Sequence, residues 1–567
     1  MSDEKKSPIV STSVSMNTGK KKEVPQEQKA ACKKVSVPWH ILVCADFGFV
    51  SDAPEQVRAA SLNEFLESHN IVLRGNIESS LAGRPVFVEY SVRDSKDFSS
   101  TAVPKNLTFT ADLNRLTSLL QDVLSGSVSR VDALSAIHNL EGCYEYKTEA
   151  LKLLHVAPPA SGQSKQSLPL SKEKSSALDS ILDSVSIETS DEEKEEKKSS
   201  AVDKLTEALV GGTESSLPKQ KIQAFIDRIE AEMEKDLMNV LSKQFFHDRR
   251  ASWAGCRHAA KIIGRNNDVS LSIFSAPFAD IDAQFSGIFN TMIEQGTPPD
   301  IILLDYPMLV SNSHAHLLSR IGKLAESHHA MVISCFSQDE PFISRIPGAD
   351  TLKPIFEEPH FIPYHRLRKN SFARTICMAA PHAVIDSEDI EPVAAGGGWL
   401  VLFSLVQRIC DGRSPFSGGI TLSDTGITAE YPLRHAKGMN HNHTLESLEM
   451  GITLLSDILA TKAGVPAVSI IESEGIASQY CSFAYNLLTN RLLKITGTVI
   501  AEGGGDRQEI VARLRLGLLE FLDGYRLLHS EDEVMVSAGD SGEINVAVDS
   551  QKTVDEYPVQ IQFSVNL

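Results

Sequence analysis

No stretch of the 567-residue chain stays apolar for the roughly 20 positions that a membrane-spanning helix needs. The longest apolar runs, Trp399–Val406 and Ile452–Leu459, are soon interrupted by polar or charged residues. Residues 1–34 hold lysine and serine but no apolar core, so a secretory signal is not expected. The eight cysteines, at 32, 44, 143, 256, 335, 377, 410 and 481, include no Cys-x-x-Cys pair, which excludes a cysteine-rich zinc module and a disulfide scaffold. Cys44, Cys335, Cys377 and Cys410 lie in apolar runs and read as small buried hydrophobes in a reducing compartment. Positive charge is scarce. Lys and Arg total 55 against 74 Asp and Glu, a formal charge of -19 that disfavours wholesale binding of nucleic acid or an anionic membrane. A cytoplasmic protein with no direct membrane insertion is expected.

Recognisable catalytic patterns are equally scarce. Gly396-Gly397-Gly398 and Gly503-Gly504-Gly505 lack the Gly-Lys-Ser/Thr of a phosphate loop and the Gly-x-Gly-x-x-Gly of a dinucleotide turn. Close helix packing or a loop explains them better. The histidine pairs His314/His316, His328/His329 and His441/His443 have no neighbouring cysteine or carboxylate at metal-ligand spacing. His314 and His316 fall on different sides of a helix, whereas His441 and His443 are left open as sharing a strand or loop face. No Gly-x-Ser-x-Gly elbow occurs, and no cysteine has an evident His/Asn setting. No catalytic, cofactor-binding or metal residue is therefore named, and no cofactor is expected. The chain reads as an assembly component and not an enzyme.

Periodicity organises the remainder. Residues 1–34 are expected to be a disordered arm. Trp39–Cys44 predicts a buried strand, Asn70–Ile77 and Pro85–Val92 two further strands, and Ser61–Glu67 a short helix or turn. Leu113, Leu116, Leu120 and Leu124 share a helix face, and Val131–Leu140 and Tyr146–Leu154 continue helically. Residues 35–155 thus read as an α+β domain. The stretch 156–217, rich in Pro, Ser, Lys and Glu, reads as a flexible linker with two amphipathic pieces, one of them carrying Leu178, Ile181, Leu182 and Val185.

Residues 218–567 predict an α/β domain. It opens with a helix whose face is Ile222, Ile226, Ile229, Met233, Leu237 and Leu241. Strands are expected at Val269–Phe274, Ile301–Leu304, Ala330–Cys335 and Ala373–Met378, with helices at Ala315–Glu326, Leu400–Ile409, Leu445–Leu459, Tyr485–Ile495 and Ile510–Leu528. Three strand segments, Val534–Val536, Ile544–Val548 and Val559–Val565, end it.

Two sets of motifs carry a resemblance. Val37-Pro38-Trp39-His40-Ile41-Leu42-Val43-Cys44-Ala45-Asp46-Phe47 resembles the "Leu-Pro-Phe … Val-x-x-Asp-Leu/Phe-Ser-Gly" segment of the small sheath subunit of type VI secretion systems, with Trp39 for Phe and Gly48 for Ser. Val86–Val92 followed by Asp97-Phe98-Ser99-Ser100-Thr101-Ala102-Val103 resembles that subunit's strand and "Asp-Asp-Phe-Ser-Pro-x-x-Val" signature. The second part resembles the large sheath subunit. Arg250-Ala251-Ser252-Trp253-Ala254-Gly255-Cys256 is similar to its "Glu-x-Ser/Ala-Trp-Arg-Gly-Leu" opening, with Ala254 in the Arg position, and Pro299–Tyr306 to its "Ile-Ile-Gly-Asp/Asn-Tyr" strand. Phe372–Pro381 is similar to "Ala-Arg-Tyr-Val-x-Leu-x-Leu-Pro", and Ala484–Ile495 to "Arg-Phe-Ala-His-Tyr-Leu-Lys-Val" without its aromatic pair. The resemblance covers most of 35–155 and 218–567 and is patchy between about 385 and 480. Here the two subunits are joined in one chain, and the strand that usually precedes the Leu-Pro-Phe segment is not visible in Met1–Lys34.

The resemblance implies a protomer of a contractile sheath, a helical homopolymer around an inner tube protein, seated on a baseplate and recycled by an AAA+ unfoldase. It implies an unfoldase-recognition helix at Leu178, Ile181, Leu182 and Val185. It further implies a shared inter-subunit strand at Val559, Ile561, Phe563 and Val565, whose alternation places them on one face. The two parts are expected to dock through the Leu113–Leu154 helices. A nucleotide-dependent α/β enzyme and a non-contractile scaffold with the sheath fold remain the alternatives.

Overall fold

The computed structural model describes residues 37–566 apart from 82–83, 100–102, 104–106, 141–143, 155–218, 388–389, 418, 428–438, 462–463, 473–478, 503–505 and 540–541. The arm at 1–34, the linker at 156–217 with Leu178, Ile181, Leu182 and Val185, and Gly503–Gly505 lie outside the described residues. The architecture is mixed α/β, in two compact units. One takes the described residues of Met1–Ile77, Phe87–Val103 and Asn239–Leu567, the other those of Glu78–Val86 and Pro104–Met238.

The chain enters at β1 (Trp39–Ala45), buried along nearly its whole length because both of its faces are apolar. A two-residue strand β2 (Glu55–Gln56), helix α1 (Leu62–His69) and the paired strands β3 (Ile71–Ser79) and β4 (Arg84–Val92) follow. Asn70, in the left-handed region at φ 43°, ends α1.

The smaller unit is helical: α2 (Thr108–Ser125), α3 (Arg130–His138), α4 (Tyr144–Leu154) and the greater part of α5 (Lys219–Ser242). Leu113, Leu116 and Leu120 of α2 form one core with Ala133 and Ile137 of α3, Ala150 and Leu154 of α4, and Ile222, Phe225, Ile226 and Ile229 of α5. Asp236 of α5, fully buried, accepts from Ser79 Oγ at 2.5 Å and from the Ser80 N–H at 2.5 Å. These bonds satisfy a charge that burial alone would penalise by several kcal/mol.

The rest of the chain alternates. Helix α6 (Gln244–Ile263) precedes β5 (Val269–Ser275), α7 (Phe278–Glu294), β6 (Ile301–Met308), α8 (Asn312–Ser327) and β7 (Met331–Phe336). After short helical turns come β8 (Ile376–Ala380), the hairpin β9 (Ala383–Ser387) and β10 (Ile390–Ala395), α9 (Gly398–Cys410), α10 (His441–Glu449) and β11 (Ile452–Leu454). Helices α11 (Phe483–Glu502) and α12 (Arg507–Gly524) lead to β12 (Val534–Ala538), β13 (Glu543–Val554) and β14 (Tyr557–Asn566).

Seven strands form one sheet in the order β11-β8-β7-β6-β1-β5-β2. All are parallel except β2, which runs against β5. From β1 the chain goes to β5 on one side and then to β6 on the other. Counted in chain order, the parallel strands stand 6-5-4-3-1-2, a doubly wound sheet that switches direction between β1 and β6. The apolar residues of β1, β6, β7 and β8 pack with those of α7 and α8 on one face.

The compact units do not follow the stretches 35–155 and 218–567. Strand β1, from the first stretch, lies between β5 and β6 from the second, with Ile41 opposite both Leu271 and Ile301. A strand apolar on both faces and unpaired on both edges has no stable place in a domain of its own.

Two local expectations are corrected. Leu445–Leu459 is not one helix. Gly451, at φ 70°, ends α10, and Ile452–Leu454 leaves as strand β11 beside Met378–Ala380. A β-carbon at Gly451 would stand 2.8 Å from the Ile470 Cα, so the site demands glycine twice over. The strand expected from Ala373 begins only at Ile376, because Ser371–Thr375 is a 3-10 turn.

Candidate functional site

In doubly wound sheets, ligands bind at the carboxyl ends of the strands flanking the switch point. Here that place lies beyond β1 and β6, and three of the quoted motifs meet there. Asp46 and Phe47 follow β1, Asp305 and Tyr306 occupy a bulge in the β6–β7 ladder between Leu304 and Pro307, and Ser252, Trp253 and Gly255 come from α6. The Arg249 guanidinium grips Asp46 through two bonds, Nε to Oδ1 at 3.1 Å and Nη2 to Oδ2 at 2.9 Å. Ser252 Oγ donates to Asp305 Oδ2 at 2.6 Å, and Trp253 Nε1 donates to the Phe47 carbonyl at 3.0 Å. The Phe47 and Trp253 rings lie 4.8 Å apart.

Glycine closes what remains. A β-carbon on Gly255 would stand 2.4 Å from the Trp399 ring, and one on Gly396 2.3 Å from Cys335 Sγ. The Gly396–Gly398 run is thus a close-packing device at the start of α9, as expected from its missing lysine. Burial pushes the Asp305 carboxyl up to about 6, opposed by the Ser252 hydroxyl and by the nearby Trp399 indole. That indole N–H makes no hydrogen bond of ordinary geometry. Burial likewise pushes the thiols of Cys44, Cys256, Cys335 and Cys377 up, away from nucleophilic thiolate. Cys410, expected to be buried, is only partly so. Among the described residues, Ser252 and Trp253 are buried at this place, while Arg249 and Asp46 lie partly exposed at its rim.

At the opposite end of the same strands lies a buried ionic cluster that sequence reasoning missed. Asp300, just before β6, accepts from Arg491 Nη1 at 2.6 Å, from Lys494 Nζ at 2.9 Å and from the His40 N–H at 2.7 Å. Arg491 also donates to the Val37 and Pro38 carbonyls and lies 4.2 Å from the centroid of the Trp39 ring. Burial would raise the Asp300 carboxyl, but Arg491 and Lys494 outweigh it and hold the group below its ordinary value. Burial and Lys494 together lower His40 to about 4, against the pull of Asp300. The signal was present in the sequence: two cations three positions apart, set among the leucines of the stretch Leu487–Ile495. The cluster ties α11 to β1 and β6.

The histidine pairs have local duties. His443 does not sit on a strand or loop face. It is the third residue of α10, where Asn440 Oδ1 accepts from its N–H at 3.0 Å and its Nδ1 accepts from the Asn440 N–H at 3.3 Å. His314 Nδ1 accepts from the Leu309 N–H at 2.9 Å. Among the described residues no group of three or more His, Cys, Asp or Glu side chains is placed to hold a metal ion, and no helix is long and apolar enough to cross a membrane.

The residues expected to form a shared strand lie on β14, paired antiparallel to β13 from Val554 opposite Tyr557 to Glu543 opposite Asn566. Val559 and Ile561 are buried, while Phe563 and Val565 are half-buried. Alternation put all four on one face, as the pattern required. Among the described residues no strand pairs with the other edge of β14. The turn before it uses Asp555 and Glu556 at φ 48° and 71°, and Ser482 Oγ, at the start of α11, donates to Asp555 Oδ2 at 2.5 Å. Ser482 Oγ also accepts from the Tyr485 N–H at 3.0 Å.

No family model matches the chain, and no curated protein matches it.

Proposed function

We propose that this chain is a cytoplasmic structural protomer that polymerises by strand sharing, the building block of a contractile sheath of the type VI secretion kind, with the small- and large-subunit parts fused. Its partners are then further copies of itself, an inner tube protein, a baseplate and an AAA+ recycling unfoldase. The observation that carries the reading is β14, a ten-residue edge strand at one side of a three-stranded sheet, with two apolar residues left half-covered. Exposed edges of this length pair with other chains unless they are blunted. Where such pairing is head-to-tail and its rotation does not close, it builds a helical polymer. The convergence of Asp46-Phe47, Ser252-Trp253-Gly255 and Asp305-Tyr306 supports the same reading, since three of the segments that carry the resemblance serve one packing site.

The doubly wound strand order favours a second reading, an α/β enzyme that binds a nucleotide at the switch point. The burial of Ser252 and Trp253 at that place argues against it. Electron microscopy of the purified full-length chain at rising concentration separates the two. Tubes or rings support the sheath protomer. Dispersed monomers that bind ATP or GTP by calorimetry would replace it with the enzyme. A non-contractile scaffold would form tubes whose length and diameter stay constant under every condition that shortens a contractile sheath.

A further inference from the structure

The edge of β14 is not uniformly open. Along a strand, the N–H and C=O of successive residues point alternately to one neighbour and the other. Tyr485 identifies the phase here: its hydroxyl donates to the Gln560 carbonyl at 2.7 Å and accepts from the Gln560 N–H at 3.2 Å. Gln560 therefore faces away from β13, and with it Pro558, Gln562, Ser564 and Asn566, all with exposed side chains. The N-terminal half of this outer edge is closed. Pro558 has no N–H to offer, and the two outward groups of Gln560 are already satisfied by one phenol. Burial pushes that phenol up to about 12, with the Gln560 backbone opposing, so it remains a neutral group able to donate and accept together. Beyond it, among the described residues no strand pairs with the outer edge, and Gln562-Phe563-Ser564-Val565-Asn566 carries no charge.

We infer that Tyr485 sets the register of strand addition, closing the β14 edge at Gln560 so that a strand from a second copy of this chain pairs only from Gln562 onward. The inference rests on the strand-sharing reading above. A second copy is the occupant because that reading is of a homopolymer, and two copies of a chain carrying -19 approach each other with least repulsion where, as in this window, charge is absent. The incoming strand also continues the sheet face on which Phe563 and Val565 are half-covered. The other side of the same sheet is guarded differently: Arg515 Nε donates to the Val534 carbonyl at 3.2 Å, capping β12 where it begins. Each edge of the sheet thus holds one side chain that stands in for a strand. Both are supplied by helices, Tyr485 by α11 and Arg515 by α12.

Proline placed at outward positions of an edge strand removes an outer donor and leaves the inner ladder alone. The test is sedimentation velocity of the full-length chain over a concentration series, for wild type and for Gln560→Pro, Gln562→Pro and Ser564→Pro. Self-association should weaken about tenfold or more in Gln562→Pro and Ser564→Pro, each losing one interchain N–H donor and setting a proline ring against the incoming strand. Gln560→Pro should match wild type. In a Tyr485→Phe background the closed position opens, and Gln560→Pro should then weaken association as the other two do. Residue-resolved amide exchange of the wild type supplies an independent readout without substitution. On association, protection should rise at Gln562 and Ser564 and stay constant at Gln560. If Gln560→Pro weakens wild-type association as strongly as Ser564→Pro, or Gln560 gains protection, the role of Tyr485 is overturned while strand sharing stands. If association is indifferent to all three prolines and no amide of Gln562–Asn566 gains protection, strand sharing through β14 is itself overturned.

Discussion

Strand β1 has hydrogen-bonded neighbours on both edges and buried side chains on both faces, while β14 has one neighbour and a face only half covered. The sheets they belong to end differently as well. The seven-stranded sheet terminates in strands of two and three residues, β2 and β11, too short to recruit a partner. The three-stranded sheet terminates in ten residues of β14, uncharged from Gln562 to Asn566. One sheet is finished within the chain, and at its switch point Ser252 and Trp253 are buried. The other ends in β14, whose outer edge no strand pairs with among the described residues. On the strand-sharing reading proposed above, that open edge is where the chain would meet its partner.

The comparison breaks first at the buried ionic cluster. Arg491→Met removes one of the two cations paired with Asp300 and the cation over Trp39, leaving a buried carboxylate with only Lys494 and the His40 N–H. A loss of about 3–5 kcal/mol is expected, read by denaturant unfolding followed through tryptophan fluorescence. An unchanged midpoint would mean that the cluster does not hold β1 in the sheet.

Gly255→Ala tests the packing at the crevice. Its new methyl would stand 2.4 to 2.7 Å from atoms of the Trp399 ring, and the overpacking should cost about 1–3 kcal/mol in the same assay. A neutral substitution would show that the crevice has room after all.

The pH dependence sharpens the contrast between the two ends of β1 and β6. Asp305 is raised to about 6 from an ordinary 3.8, so the fold prefers it protonated. Its contribution is fully present below 3.8 and is lost as pH rises through about 6. His40 is lowered to about 4 from 6.5, so the fold prefers it neutral, and its contribution is lost as pH falls from 6.5 towards 4. The two groups oppose each other between about 4 and 6. Asp305→Asn should therefore steepen the loss of stability on acidification over that interval, and His40→Asn should flatten it, as measured by unfolding free energy against pH. Asp300, held below 3.8, adds its own loss only under that pH. Identical slopes in both variants and wild type would refute the assignment.

The smallest stability effect belongs to the open edge. Gln562→Lys should leave protomer unfolding within about 0.5 kcal/mol of wild type, because the side chain is exposed and its backbone faces away from β13. A larger loss would show that the edge is already covered within the protomer.

Legibility followed a physical division. The alternation Val559, Ile561, Phe563, Val565 was readable because a strand has a period of two, and the helix faces on α2 and α5 because a helix has a period of 3.6. The run Ile452–Leu459 was misread as helix because a short apolar run suits helix and buried strand equally. The helix-capping role of His443 was missed because it depends on Asn440 standing at the helix start. The part played by Tyr485 could not be seen, since its partner Gln560 lies 75 positions away.

From its own composition and periods, then, the chain determined most of its helices and strands, which of their faces are apolar, and that charge is kept off the tail of β14. Those properties are local, set by side-chain chemistry at spacings of two to four residues. Tertiary structure alone decided that β1 lies between β5 and β6, that α5 packs with α2 and α4, that Arg491 and Lys494 meet Asp300, and that Tyr485 closes the edge at Gln560. Each of these is a choice of partner between groups far apart in sequence. Apolar surface and unpaired backbone require partners, yet a hydrophobic face does not specify which other face will cover it.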